Sequence, residues 1–350
     1  MSINVMSYGA VGDGMTNDTV AVQLAIDTAY AAGTSVYVPK GRYLVDTLNM
    51  PFSFANTLNQ GNYIYGDGPF SSIFAAASNN TTIFNWSQPV ADKFQFGVEI
   101  VGLGLDSNGK SNCIGLRPHA VYNTRFKDLY IREGFKNCVE IKNQGNPGDV
   151  DACNHLMFDA CRLEGASNWG IFSDLRSGNN ENSFIHLRNT TINRCGTAAG
   201  QIGGGIYWRG QMLQFDSSAI VTCVNRGLYI EGGAGLGSNI LANSLTFENN
   251  TGMSIQCYGI TVMEFNNLQI YNNDNYKANY GIWLNAQSLI ANVRVNSAKI
   301  RATSGNTPYT AFAALGANLG AGTIVVDDKQ VRWDLFGAPG QTKYSGWTVV

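Results

Sequence analysis

Phe126-Lys-Asp-Leu129-Tyr-Ile131 is followed 32 residues later by Phe158-Asp-Ala-Cys161-Arg-Leu163. The same pattern returns as Leu187-Arg-Asn-Thr190-Thr-Ile192, Phe215-Asp-Ser-Ser218-Ala-Ile220, Ala242-Asn-Ser-Leu245-Thr-Phe247, Phe265-Asn-Asn-Leu268-Gln-Ile270 and Val295-Asn-Ser-Ala298-Lys-Ile300. Upstream, Ile100-Val-Gly-Leu103-Gly-Leu105 makes an eighth copy, and the first positions lie 26, 32, 29, 28, 27, 23 and 30 residues apart. A second element falls between the copies: Ile114-Gly-Leu116, Val139-Glu-Ile141, Ile171-Phe-Ser173, Ile206-Tyr-Trp208, Leu228-Tyr-Ile230, Ile255-Gln-Cys257 and Ile282-Trp-Leu284. Both elements alternate with period two, the mark of short strands with one face in and one face out. Helical periodicity is absent from this region.

A unit of 23 to 32 residues built of short strands cannot bury its inner face alone. Such units must stack. A leucine-rich repeat would show its own Leu and Asn spacing, which is missing. The expected fold is therefore all-β: a right-handed parallel β-helix, a solenoid whose coils stack at about 4.8 Å. Phe126, Phe158, Leu187, Phe215, Ala242, Phe265 and Val295 should form one core column. Asn243, Asn266 and Asn296 share a place in a two-residue turn, where Asn tolerates a left-handed backbone and its amide can bond from coil to coil.

Composition agrees with this reading. Charged residues are 14% of the 350 and Gly numbers 40, which excludes a coiled coil or long helical bundle, and 44% hydrophobic residues argue against disorder. The net charge of −2 favours neither nucleic acid nor an anionic membrane as partner. No run approaches the roughly 20 apolar residues of a membrane span, so no membrane insertion is expected. The start, MSINVMSYGA, shows no signal peptide. Seven scattered Cys without a CxxC read as reduced, small apolar fillers. No metal cluster, Ser-His-Asp or Cys-His arrangement stands out, and no cofactor is expected.

An open β-helix needs a cover at its ends. At the N-terminus Asn4 to Ser7 reads as a strand. Asn17 or Asp18 can cap a helix through Val20-Ala-Val-Gln-Leu24-Ala-Ile26 that Gly33 ends. Val36 to Val45 reads as two strands around a turn. The division expected is an N-terminal cap over 1–60, a β-helix over 61–305, and a C-terminal β cap or trimerisation segment over 306–350. The run from Tyr8 to Asp27, with Val36-Tyr-Val-Pro-Lys-Gly-Arg-Tyr-Leu44 and Asn62-Tyr-Ile-Tyr-Gly-Asp-Gly68, resembles the entry segment of the pectate-lyase-like β-helix superfamily. That group includes polygalacturonases and bacteriophage tailspike depolymerases. The polygalacturonase motifs Asn-Thr-Asp, Gly-His-Gly and Arg-Ile-Lys are missing, and the one Asp-Asp, Asp327-Asp328, lies past the repeats. The character is closer to a tailspike. That resemblance implies a homotrimer on the virion tail, outside the cell, that binds and cuts a bacterial surface polysaccharide such as capsule or O-antigen.

Aligning the repeats places the chemistry. On the strand after the loose turn the outward column reads Gly115, Glu140, Phe172, Tyr207, Tyr229, Gln256 and Trp283. Two residues on it reads Arg117, Lys142, Asp174, Arg209, Glu231, Tyr258 and Asn285. Glycoside hydrolysis needs two carboxylates. Asp174 and Glu231, two coils apart, and Glu140 beside Asp174 are the catalytic candidates. Arg209, Lys142, Tyr207, Tyr229 and Trp283 are the substrate-binding candidates, the rings as a sugar platform. A lyase would use Tyr207 or Tyr229 as base with Arg209 as neutraliser. A non-catalytic receptor-binding spike would hold glycan and release nothing. The same charges could equally be a surface ion ladder, and a partner subunit could cover the rings. Asp106, Arg132, Glu164 and Glu248, with Glu133 beside them, form a rival column at the far turn. His155 and His186 read as surface or interface residues, and Gly203–Gly205 and Gly232–Gly237 as flexible loops.

Overall fold

The computed structural model describes residues 2–51, 63–86, 95–142, 153–174, 184–198, 203–231, 238–258, 261–272, 278–285, 291–302, 310–315, 324–326, 331–335 and 342–345. These residues form a parallel β-helix. Each coil contributes one strand to each of three sheets, which hold 13, 12 and 11 strands among the described residues. Every ladder is parallel, from Ile3↔Val36 at one end to Phe312↔Tyr344 at the other.

The first sheet carries the predicted core column. Phe126, Phe158, Leu187, Phe215, Ala242, Phe265 and Val295 are successive register partners and all are buried. The rings of Phe126 and Phe158 stack with centroids 4.9 Å apart. Each such ring removed from water contributes roughly 1.5–3 kcal/mol, repeated coil after coil. All seven Cys are buried and none forms a disulfide, and burial pushes the Cys161 thiol up to about 12.

The two-residue turn that leads from the first sheet into the second carries the amide ladder. Asn266 Nδ2 donates to Asn243 Oδ1 at 2.9 Å, and Asn296 Nδ2 donates to Asn266 Oδ1 at 2.7 Å. Earlier coils replace the amides by charges: Asp159 accepts from Arg188 at 2.6 Å and also from Arg125, and Asn243 donates to Asp216 at 2.6 Å. In the turns of Asn243, Asn266 and Asn296 neither the Asn, contrary to expectation, nor its successor is left-handed, whereas in the earlier coils the residue after the ladder position is. Asp128, Ala160, Asn189 and Ser217 have φ of 50°, 54°, 50° and 49°, while the ladder residues do not.

The N-terminal cover is a helix over Thr19–Ala31 with Val22, Ala25, Ile26 and Ala29 buried. Asn17 Oδ1 accepts from Thr19 N at 3.0 Å. Asp18 does not cap with its side chain; buried, it accepts from Val11 N at 2.7 Å and Gly12 N at 3.1 Å and so pins the preceding turn. Gly33 N donates to Tyr30 O and Thr34 N to Ala29 O, which closes the helix end. The expected strand over Asn4–Ser7 is instead a strand at Ile3–Asn4 followed by a 3-10 helix at Val5–Tyr8.

Gly204 and Gly205 are strand, not flexible loop. A Cβ on Gly205 would lie 2.5 Å from Gly227 O and 2.5 Å from Ile220 Cγ2, so the backbone of the third sheet sits directly on the side chains of the second. The run Gly232–Gly237 lies outside the described residues. The described strands past residue 305, at Thr310–Leu315, Ile324–Val326, Val331–Leu335 and Thr342–Ser345, continue the same three ladders.

Candidate functional site

The third sheet presents the aromatic and charged columns. Its strands include Ile114–Arg117, Asn137–Lys142, Trp169–Asp174, Gly204–Trp208, Arg226–Glu231, Gly252–Tyr258 and Ala278–Asn285. Glu140, Phe172, Tyr207, Tyr229, Gln256 and Trp283 are successive register partners. So are Lys142 and Asp174, and likewise Glu231, Tyr258 and Asn285. Arg209 follows its strand, and its N–H donates to Ser173 O. The side chains of Lys142 and Asp174 lie outside the described part of the structure; their place in the column comes from backbone register.

Alternation puts these side chains outward because the intervening Ile171, Ile206, Leu228 and Ile255 fill the core. The result is an unbroken strip of half-buried rings. Phe172 stacks on Tyr207 at 4.9 Å, Tyr207 meets Tyr229 at 5.3 Å, Tyr229 meets Tyr258 at 5.5 Å, and Tyr258 meets Trp283 at 5.9 Å. Trp169, not singled out in the sequence, is buried behind the strip and touches Tyr207 at 5.6 Å and Tyr229 at 6.3 Å.

Glu231 lies beside the strip, and the Tyr207 hydroxyl donates to its Oε2 at 2.5 Å. Arg226, also missed in the sequence, lies with its guanidinium 4.7 Å from the Tyr229 centroid and donates to Gln256. An alternation count from the buried Leu228 puts Arg226 on the inner face; Gly227 faces inward too, a Cβ there meeting the buried Phe247 at 2.7 Å, so the phase breaks and Arg226 turns outward. Burial lowers the Arg226 pKa and raises that of Tyr229, where the Glu231 charge adds to the effect. The Tyr229 phenol is thus held protonated, a hydrogen-bond donor rather than a base.

Glu140 departs from expectation. It is 2% exposed, accepts from Asn137 Nδ2 at 2.7 Å and pairs with Arg117 at 3.1 Å. The register Leu116↔Val139 brings Arg117, not Gly115, opposite Glu140. A period-two pattern is unchanged by a slip of two residues, so sequence alternation alone could not choose between them.

The rival column is assembled on the second sheet as an ionic network. Glu164 is 1% exposed and accepts from Tyr130 Oη at 2.7 Å and from Arg194, with Arg162 Nε at 2.7 Å; Glu133 also pairs with Arg194. Burial would raise the Glu164 pKa, but the hydrogen bonds from Tyr130, Arg162 and Arg194 outweigh it and hold the carboxyl below its ordinary value. Asp106 pairs with Arg42 at 2.9 Å, and Glu248 is exposed two coils beyond Asn193. On the first sheet His186 Nε2 lies 2.6 Å from Asp216 Oδ2, and the His155 ring lies 5.2 Å from that of Phe184. Among the described residues no group of three His, Cys, Asp or Glu could hold a metal ion, and no helix is long and apolar enough to cross a membrane.

Sequence relatives include enzymes named for the polysaccharides mannuronan and alginate. Mannuronan C5-epimerase AlgE5 of Azotobacter vinelandii is 35% identical over 108 residues, 30% of this chain and 10% of that protein. Alginate lyase 7 of the same organism is 44% identical over 69 residues, 19% of this chain and 8% of that protein. The chain thus spans about a tenth or less of the length of these relatives. Among solved structures, the A-module of the A. vinelandii epimerase AlgE4 superposes with a TM-score of 0.60 at 16% identity, covering 99% of both chains. ORF18 of Geobacillus virus E2 does so with a TM-score of 0.53 at 16% identity, covering 99% of this chain and 60% of that one. These structural likenesses establish the shared solenoid. The family profile "Rhamnogalacturonase A/epimerase, pectate lyase-like" matches residues 2–221, well over half of the sequence. The parallel coils, the N-terminal helix that covers them and this match together place the chain in the rhamnogalacturonase A/epimerase, pectate-lyase-like family.

Proposed function

We propose that this protein is a tailspike-like depolymerase that lays a bacterial surface polysaccharide along the third sheet and hydrolyses its glycosidic bonds. The observation that carries the reading is the strip Phe172, Tyr207, Tyr229, Tyr258 and Trp283, in contact ring to ring, with an acidic side chain hydrogen-bonded at its edge. Such rings pack on the apolar faces of sugars while their hydroxyls bond at the rim. Arg209 and Arg226 give the face a cationic edge, with Lys142 in the column by backbone register, which suits an acidic polymer; the names of the relatives, mannuronan epimerase and alginate lyase, support the same substrate class.

Glu140 is buried in an ion pair, which leaves Asp174 and Glu231 as the two carboxylates. They stand two coils apart, about 10 Å between backbones, near the separation of roughly 6.5–9.5 Å used by inverting glycosidases. In this reading Glu231, oriented by Tyr207, takes the proton of the attacking water. Asp174 protonates the leaving oxygen, and Arg209 between them holds the sugar acid. The chain works as a homotrimer on the virion tail.

The test is incubation with a panel of bacterial surface polysaccharides, following reducing ends and ultraviolet absorbance together. Hydrolysis releases reducing ends without absorbance. Asp174→Asn and Glu231→Gln should each lower that release by at least a hundredfold with folding and sedimentation unchanged. Full activity in both variants removes this site. A second reading, β-elimination, is favoured by the relatives' names and by the Tyr207–Glu231 hydrogen bond, along which Tyr207 would pass its phenolic proton to Glu231 as its oxygen takes the proton from the sugar ring carbon beside the carboxylate that Arg209 neutralises, the leaving oxygen departing as the double bond forms; unsaturated products would select it. Binding without product would make the chain a receptor-binding spike.

A further inference from the structure

A second aromatic and cationic cluster lies on the second sheet, away from the strip described above. Phe70 sits in the turn between the strands Tyr63–Gly66 and Ser72–Ala76 and is 68% exposed, unusual for an uncharged ring. Its ring meets Tyr130 at 5.3 Å. The placement is built into the sequence: Gly104 lies between Ile73 and Tyr130 in the outward column, and a Cβ there would come 2.3 Å from Pro69 O. Only glycine lets the Pro69–Phe70 turn lie flat on the sheet and deliver Phe70 to Tyr130.

Two guanidiniums flank the rings. Arg132 lies 5.8 Å from the Phe70 centroid and 5.3 Å from that of Tyr130, and Arg162 lies 5.2 Å from Tyr130. Each cation faces one carboxylate and keeps part of its guanidinium beyond it. Asp106 takes Arg42 at 2.9 Å and accepts Asn108 N at 2.7 Å, so its ion pair with Arg132 is long, 4.0 Å, and among the described residues the buried Arg132 Nε has no hydrogen-bond partner. Arg162 engages the buried Glu164 through Nε only; its side chain is 52% exposed, and among the described residues its terminal nitrogens have no partner. Glu164 therefore fixes Tyr130 through its hydroxyl and Arg162 through Nε, while Phe70 and much of the Arg162 side chain stay exposed.

We infer that Phe70, Tyr130, Arg132 and Arg162 form a second, non-catalytic carbohydrate site that takes an acidic sugar, its ring packed on Phe70 and its carboxylate between the two guanidiniums. An exposed ring beside paired cations matches the apolar face and the charged rim of a hexuronate, and a bidentate guanidinium suits a carboxylate. The site would hold the polymer to the spike while the third sheet acts on another stretch of it, a gain in effective concentration that needs no new catalytic group. The inference rests on the reading that the chain meets an acidic polysaccharide, but its test does not use the reaction.

The experiment is calorimetric titration of the whole chain with hexamers of mannuronate, galacturonate and glucuronate, and with a neutral cellohexaose control. It is run on the wild type, on Phe70→Ala, Arg132→Gln and Arg162→Gln, and on the third-sheet variant Tyr229→Ala. The expected result is two classes of site for at least one acidic hexamer. One class should weaken tenfold or more in the Phe70, Arg132 and Arg162 variants and persist in Tyr229→Ala. Phe70→Ala removes an exposed ring and Arg132→Gln a group in a long ion pair, so both should keep the wild-type melting temperature. Isotherms unchanged by Phe70→Ala and Arg132→Gln, equal binding of cellohexaose, or no binding of any acidic hexamer by the wild type would each overturn the second site. Product release from the polysaccharide panel judges the third-sheet reading independently.

Discussion

Asp159→Asn tests whether charges can replace amides in the ladder that joins coil to coil. Asp159 is 4% exposed and accepts from Arg188 Nε at 2.9 Å and Nη2 at 2.6 Å, with Arg125 on its other side. The hydrogen bonds from Arg188 lower its pKa most, burial opposes them, and Arg125 adds to the lowering; the carboxyl ends at about 2, against an ordinary 3.8. At roughly 1.4 kcal/mol for each tenfold change in proton affinity, this coupling contributes about 2 kcal/mol to folding at neutral pH. Because the folded value is depressed, the contribution is complete above the ordinary carboxyl pKa. It falls to about half by pH 3 and is lost as the pH drops through 2. Urea denaturation of wild type and Asp159→Asn at pH 7 and pH 3 reads it directly. The variant should be less stable by about 2 kcal/mol at pH 7, with the gap roughly halved at pH 3. Equal gaps at the two pH values, or none at pH 7, would refute the claim that the charged rung is held by ion pairing.

Phe158→Ala opens a cavity in the middle of the core column and should cost about 3–5 kcal/mol, measured by the same urea midpoint. Gly205→Ala forces a methyl against the Gly227 carbonyl, which is backbone and cannot turn aside. A loss of about 1–3 kcal/mol, seen as a lower melting temperature, is expected. Tyr207→Phe keeps the ring stack but deletes the hydrogen bond to Glu231. On any polysaccharide that the wild type cuts, the variant should turn over at least tenfold more slowly with little change in KM, since only the orientation of the acid is altered.

Much of this was legible in the sequence because the solenoid is close to one-dimensional. Each coil contacts its neighbours, so a repeat of Phe126, Phe158, Phe215 and Phe265 fixes which residues stack without knowledge of distant contacts. The columns from Glu140 to Trp283 could be aligned from the recurring Ile-x-Leu-like element for the same reason. The misses have a common cause. Glu140 stands where an outward residue should be exposed, yet Arg117 and Asn137 close over it. Arg226 and Trp169 lie at strand starts, where the period-two pattern has too few residues to show a phase.

The recurrence of apolar side chains every twenty-odd residues, read without coordinates, already determined that strands pile up in parallel around a shared interior, because that is how units too small to bury their own inner face satisfy it. Tertiary structure alone decided which charges meet. Whether an outward carboxylate is buried under an arginine, bonded to a tyrosine, or left in a long ion pair depends on turns between coils, such as the one that lays Phe70 over Gly104. Those turns carry no repeat from which to read them.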